Sequence, residues 1–369
     1  MNRVEEVNLK VAKVRQFLDE HKLDAVLLGT NANFSWLTAG GDDHLEIIDK
    51  TGSAMIFVTK KDVTLIANNN EIDRLKAEAL GEVAPLFNVE VPNWYDPQGT
   101  DNALKKLASG LNYGADMPRA GAQMVKDDFA RLRYNLTENE IERYRWLGQH
   151  AAAAVEVVAR EIEPGMNEHE IEAAMAAKML ADNIFPIVLL IATDERIFNF
   201  RHPIPSEKKL DKYAHLVLCA RRWGLVISFT RCVYFGQAPA DLKHKQDAAA
   251  FVDATFMSAT QPGAVVGCIL NQAKDAYAQQ GYPNEWHHHH QGGLIGYEPR
   301  EYIAFSESTQ TVGINQAFGW NPTVQGTKSE DSILVKEDGI EILTLTNQWP
   351  AINVEIDGVA YPRPAILER

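Results

Sequence analysis

The stretch LTENEIERYRWLGQHAAAAVEVVAREIEPGMNEHEIEAAM, residues 136–175, constrains the fold of this chain more than any other segment. Thr137 with Glu140 three residues later is a capping box, in which the hydroxyl and the carboxylate satisfy each other's free backbone N–H. The helix so started runs through Ala151-Ala-Ala-Ala-Val155 to about Ile162. Glu163-Pro-Gly165 stops it, since proline cannot continue the hydrogen-bond ladder and glycine takes the left-handed closing conformation. A further helix starts after Asn167. Upstream, between Tyr113 and Arg133, patterning weakens, so a domain boundary is expected there, giving residues 1–134 and 135–369.

Each side of that boundary has its own periodicity. Near the start, Val11, Val14 and Leu18 recur at helical spacing, and residues 25–29 read as a short buried strand. Residues 53–59 and 63–67, parted by Lys60-Lys-Asp62, look like adjacent strands with a turn, and a helix over about 71–80 follows. This alternation suggests an open α/β sheet with crossovers. The later part has strand-like runs at 216–219, 225–234, 333–335 and 340–345 and one more helix around 247–259, which suggests an α+β domain.

Composition removes several function classes. A chain of 369 residues exceeds what one core usually serves, and 46% apolar residues are enough for two. The longest apolar runs, 184–192 and 225–229, are far shorter than the roughly 20 residues a membrane helix needs. Met1 leads into Asn-Arg-Val-Glu-Glu, with no cationic stretch and apolar core of a secretory signal, so a cytoplasmic protein is expected. A net charge of −14 repels polyanions, which argues against a nucleic-acid partner. Cys219, Cys232 and Cys268 form no C-x-x-C pair and are odd in number, so they are expected to be reduced and mostly buried.

The capped helix pair with its Pro164, Gly165, Asn167 and Glu168 turn resembles the start of the catalytic domain of the creatinase, aminopeptidase P and prolidase family. LDAVLLGTNANFSWLTAGG, residues 23–41, resembles that family's N-terminal domain. The likeness covers nearly the whole chain. It implies a "pita-bread" α+β C-terminal domain behind a smaller α/β N-terminal domain, a small-molecule or short-peptide substrate, and a homodimer.

The family's peptidases hold two divalent metals through Asp, Asp, His, Glu and Glu. In ISFTRCVYFG, Thr230 and Arg231 match a Thr-Arg pair, which puts Ser228 at one Asp position. Counting back to the other reaches Val217, or Leu218 or Cys219 if the hairpin has changed length; Arg221 and Arg222 lie in the same hairpin, where cationic charge opposes metal binding. In QGGLIGYEPRE, Gly296 and Glu301 in register put Gly293 where the ligand His would be and Arg300 where a further His would follow. GWNPTVQGTKSEDSILV puts Asn321 and Glu330 at the two Glu positions. By this register only Glu330 survives, and no metal is expected.

A substrate-facing His of the family is matched by His202 in FNFRHPIP, and a second by His289, or by His290 after a small slip. Creatinase works without metal through the first of these, but it has a Glu where this chain has Asn321, which speaks against creatine. The resemblance therefore points to a metal-independent hydrolase of a C–N bond in a small amino-acid-like or amidino substrate, with His202, Glu330 and His290 in catalysis and His289, Arg300, Asn321 and Arg221 on the substrate. An imidazole is suited to moving a proton at neutral pH. The bland alternatives are a structural His202, a solvated His287 to His290 run, and surface arginines. Two other readings stay open: a metal-dependent Xaa-Pro dipeptidase with a site rebuilt for Mn, Fe, Co or Zn from His287 to His290, Glu330 and Asp331, and an inactive pseudo-peptidase that binds a ligand. Trp36, Trp286 and Trp320 are expected in core or pocket walls.

Overall fold

The computed structural model describes residues 1–369, in two compact units: Met1–Glu140 with Trp223–Leu225, and Ile141–Arg222 with Val226–Arg369. No helix is long and apolar enough to cross a membrane.

In the first unit, helix Arg3–Glu20 starts at a capping box between Asn2 and Glu5 and buries the stripe Val7, Val11, Val14 and Leu18. Lys10 is buried with it and is ion-paired at 2.8 Å to both Glu6 and Glu140. The six-stranded sheet runs Asn88–Glu90, Val63–Ala67, Thr51–Thr59, Ala25–Thr30, Tyr113–Ala115, Gln123–Met124. Its three central strands are antiparallel and only its flanks are parallel, so it is mixed rather than built from crossovers throughout. A turn as short as Lys60-Lys-Asp62 can only return the chain antiparallel. The helix expected over 71–80 is a short α turn, Ile72–Arg74, running into a π-helical segment, Leu75–Leu80.

In the second unit, helix Glu138–Glu161 stops before Pro164, Gly165 takes φ 98°, and helix Glu168–Ala181 follows on a capping box between Asn167 and Glu170. Buried Glu168 holds the next segment, accepting from the Ser206 backbone and from the Arg196 guanidinium. Strands Leu367–Glu368, Leu225–Tyr234, Tyr213–Arg222 and Phe185–Thr193 make one sheet. Tyr302–Ile303, Gly292–Ile295, Ala317–Trp320, Asp331–Lys336 and Gly339–Ile342 make another. Two backbone bonds, Val226 N–H to Gly296 O (2.8 Å) and Thr230 N–H to Glu330 O (3.1 Å), bring the strand Leu225–Tyr234 against the second sheet. That junction positions the site.

Further details differ from the sequence reading. The expected helix around 247–259 starts earlier, at Ala240, and a second helix, Val266–Gln279, packs beside it. Its opening Val265-Val-Gly-Cys268 has poor helix formers, but a Cβ on Gly267 would fall 2.5 Å from Ser306 O, so packing sets that residue. Cys232 is buried but Cys268 is exposed.

Candidate functional site

Three imidazoles converge on the second unit. His202 lies in an irregular segment between helix Glu195–Asn199 and strand Tyr213–Arg222, stiffened by Pro203 and Pro205. Its neighbour Arg201 pins the segment by donating from Nη2 to Glu285 (2.6 Å) and from Nη1 to Thr323 Oγ1 (2.9 Å). His289 follows the single helical turn Glu285–His288 and is fixed through Gln291, whose amide donates to His289 O (2.6 Å) while its oxygen accepts from Tyr277 (3.0 Å). The His run therefore divides: His287 and His288 are exposed, His289 is buried and His290 is half-buried.

His289 Nε2 is 2.9 Å from His202 Nε2, and the His290 ring stacks on His289 with centroids 4.6 Å apart. One nitrogen of the close pair carries the proton and the other accepts it. His202 is the solvent-facing member. Nδ1 of both His289 and His290 is buried without a hydrogen-bond partner. All three rings are held neutral at neutral pH. Burial lowers His202, with Lys328 adding to it; burial and then Lys328 hold His289 far below the usual imidazole range; burial and then Arg300 bring His290 down to about 4.

Glu330 sits at the junction, 1% exposed. Its Oε2 accepts from Thr230 Oγ1 (2.7 Å) and from the Lys328 ammonium (2.8 Å), and its Oε1 lies 3.7 Å from Arg300 Nη2. Burial alone would raise this carboxyl, but Lys328, Arg300 and the hydrogen bonds outweigh it and keep the group ionised. Arg300 also donates from Nη1 to Pro299 O (2.6 Å) and reaches Ser228 Oγ at 3.5 Å. Asn321 is buried with Oδ1 unpartnered. Thus His202, His289 and His290 form one cluster, and Glu330, Arg300 and Ser228 another. Lys328 and Arg300 tie the two together through their charge. Arg221 stands apart: it pairs across the sheet with Phe185, and no contact of either cluster involves it. Lys328, Tyr277, Gln291 and Arg201 were not singled out in the sequence. Lys328 closes the short strand Thr327–Lys328, two residues before Glu330.

The positions that the resemblance assigns to metal ligands do not make a two-metal site. Val217 is buried and apolar. A Cβ at Gly293, φ 156°, would fall 2.2 Å from Tyr302 O, so no side chain fits there. The neighbouring Cys219 thiol is pushed up to about 11 by burial and is not a thiolate. The one carboxylate left, Glu330, already lies against two protein cations. The three imidazoles are a different donor set: their nitrogens lie within 4.8 Å of one another, and neutral imidazoles suit a single transition-metal ion.

Comparison with known proteins agrees with the fold. The model of metallopeptidase family M24 matches residues 142–337, and that of the creatinase/prolidase N-terminal domain matches residues 10–146. An uncharacterized peptidase of Staphylococcus haemolyticus is 24% identical over 358 residues, covering 91% of this chain and 98% of its own. The crystal structure of the prolidase from Pyrococcus horikoshii superposes with a TM-score of 0.77 at 21% identity over 91% of this chain and 98% of that one. The Xaa-Pro dipeptidase from Bacillus anthracis gives 0.77 at 17% identity over 98% and 100%. The chain belongs to metallopeptidase family M24, with a creatinase/prolidase-type N-terminal domain ahead of the peptidase-family domain.

Proposed function

We propose that this family member is a metal-independent hydrolase that cleaves a C–N bond in a small amino-acid-like or amidino substrate, with His202 as general acid/base. The observation that carries this reading is the neutral His202–His289 pair, 2.9 Å apart, beside a Glu330 whose charge Lys328 and Arg300 already match. In the step that follows, water adds to the electrophilic carbon and gives its proton to a ring nitrogen of His202. The same proton then passes to the leaving nitrogen as the C–N bond breaks, so the imidazole ends as it began. His289, bonded to His202 through nitrogen, shares the proton and orients the ring. A homodimer belongs to this reading through the family resemblance.

Amine release from a panel of N-acyl, N-carbamoyl and N-amidino amino acids, measured in chelator-treated protein, tests it. Turnover that survives chelation and is lost in His202→Ala supports the reading; turnover unchanged in His202→Ala sinks it. The three-imidazole cluster favours a second reading, a rebuilt Xaa-Pro dipeptidase with one metal on His202, His289 and His290. Xaa-Pro cleavage lost on chelation and restored by Mn, Co or Zn would select it.

A further inference from the structure

The six-stranded sheet of the first unit has a break that the hydrolase reading does not use. Strand Ala25–Thr30 pairs Leu28 with Ile56 and next Thr30 with Thr51, so Gly29 alone faces the segment Gly52 to Met55. Extra residues on one strand bend it and interrupt the ladder. A cavity of about 300 Å³ opens there. Gly29, Ala67 and Met117 line it at or just beyond the carboxyl ends of strands Ala25–Thr30, Val63–Ala67 and Tyr113–Ala115, which all run one way. Strand order also reverses at Ala25–Thr30. The strands from Thr51–Thr59 to Asn88–Glu90 lie on one side of it, and the chain then crosses through helix Gly99–Leu107 to Tyr113–Ala115 on the other. The crevice outside the carboxyl ends of the strands, at such a reversal, is where open α/β sheets take their ligands.

The cavity has an apolar floor and a polar rim. Met55, Ile66 and Ala67 are buried, while Asn68, Thr100 and Arg119 are partly exposed. The Met117 sulfur occupies the place where a Cβ on Gly29 would stand, and Met55 Cγ lies 3.5 Å from that place, so two thioether side chains meet on one wall. Thioethers are polarizable and pack well on flat conjugated groups. On the rim, Arg119 donates from Nη2 to Met55 Sδ (3.3 Å), a weak acceptor, and from Nη1 to Asp101 (3.0 Å), whose side chain is 57% exposed and therefore screened. Its Nε is buried without a partner. Helix Gly99–Leu107 begins beside Arg119's partner with no side-chain cap, so its first turn adds uncapped N–H groups and the positive end of its dipole at Thr100. No Asp or Glu lines the cavity. Asp43, packed on Gly52, is fully buried, and Asp116 is spent on the backbone N–H groups of Gly29 and Thr30 and on the Asn33 amide.

We propose that this cavity is a ligand site of the first unit for a small organic anion, with its oxyanion, carboxylate or phosphate, at Arg119 and Thr100 and its flat apolar body on Met55 and Met117. A volume at the low end for ligand pockets suits a single ring bearing one such group. The site goes beyond the hydrolase reading and does not rest on it, since every residue lining it belongs to the first unit.

Calorimetric titration of the full-length protein with benzoate, phenyl phosphate, benzamide and inorganic phosphate tests it. Benzamide lacks the charge, and inorganic phosphate lacks the ring. At least one of the two aromatic anions is expected to bind roughly tenfold or more tighter than both controls, and the tighter of the two identifies the oxyanion. Arg119→Gln should abolish the preference for charge and Arg119→Lys restore part of it, which separates loss of charge from loss of fold. Ala67→Leu, which fills the floor, should weaken both aromatic anions. Arg300→Gln should leave their binding unchanged, because that cation lies in the second unit. Aromatic anions that bind no tighter than benzamide, or not at all at tens of millimolar, overturn the proposal. So does binding that survives Arg119→Gln or is lost in Arg300→Gln.

Discussion

Adjacent in the chain, Glu330 and Asp331 face two regions of opposite construction. On the Asp331 side, buried charges alternate. Arg231 meets Asp331 at 3.1 Å and Glu156 at 3.6 Å, and Arg363 meets Asp331 at 3.2 Å and Asp253 at 2.8 Å. Thr344 and Ser329 add hydroxyl donors to Asp331 and Asp253 at 2.6 Å each. On the Glu330 side stand two cations for one carboxylate, three neutral rings, and polar atoms on His289, His290, Asn321 and Arg300 that nothing satisfies. The first arrangement holds a strand in place. Unpartnered atoms occur in both, on Arg231, Asp253 and Arg363 in the first, so what separates the two regions is charge: alternating and closed in the first, one cation in excess in the second.

The sharpest way to break the comparison is to unpair the first region. Arg363→Met leaves Asp253 in the interior without a cation and takes one of two arginines from Asp331, and it is expected to cost about 3–5 kcal/mol, read as a shift in the denaturation midpoint. A cost near zero would mean that the alternation of charge is incidental. The complementary variant, His202→Ala, should leave that midpoint nearly unmoved while lowering turnover about 10²- to 10⁴-fold, the range of general acid–base catalysis. The two variants thus exchange effects between regions.

Acid should affect the imidazole region first. His290, brought down to about 4, and His215, brought down to about 3 by burial, both start from 6.5 in the unfolded chain. Between 6.5 and these values the unfolded chain binds more protons than the folded one. Stability is therefore at its plateau above pH 6.5 and falls as pH drops towards 4. Denaturation midpoints over that range check this, and His290→Gln should flatten part of the fall.

Smaller effects sharpen the picture. Tyr277→Phe removes the hydroxyl that sits between Gln291 and the Thr323 backbone and is expected to cost about 1–3 kcal/mol. It should also loosen the His289 loop, lowering kcat with KM nearly constant. Arg221→Ala should do least, within about 0.5 kcal/mol and without effect on turnover, because Arg221 lies outside both clusters. A large loss there would bring the hairpin into the site.

Much of the architecture was legible in the sequence because local chemistry and tertiary packing agree there. The Thr137–Glu140 capping box, the Pro164-Gly165 stop and the Asn167 cap each act within a few residues. Helix Val266–Gln279 was missed because its glycine and β-branched start answers to Ser306 and not to helix propensity. At the site, register along the chain picked out His202, His289, Arg300 and Glu330. What it did not yield was how they combine. Lys328 reads as a solvated lysine until its burial beside Glu330 is seen, and Tyr277 and Gln291 reach His289 only through the fold. The sign of the cleft's charge depends on that one lysine.

The central claim, that protein cations and not metal ions balance this cleft, is tested most directly by elemental mass spectrometry of untagged, extensively dialysed protein beside an untreated sample. Metal far below one equivalent in the dialysed sample is the predicted result. One or two retained equivalents of Mn, Fe, Co or Zn, lost on His290→Ala, would contradict the claim and give the three imidazoles a metal to hold.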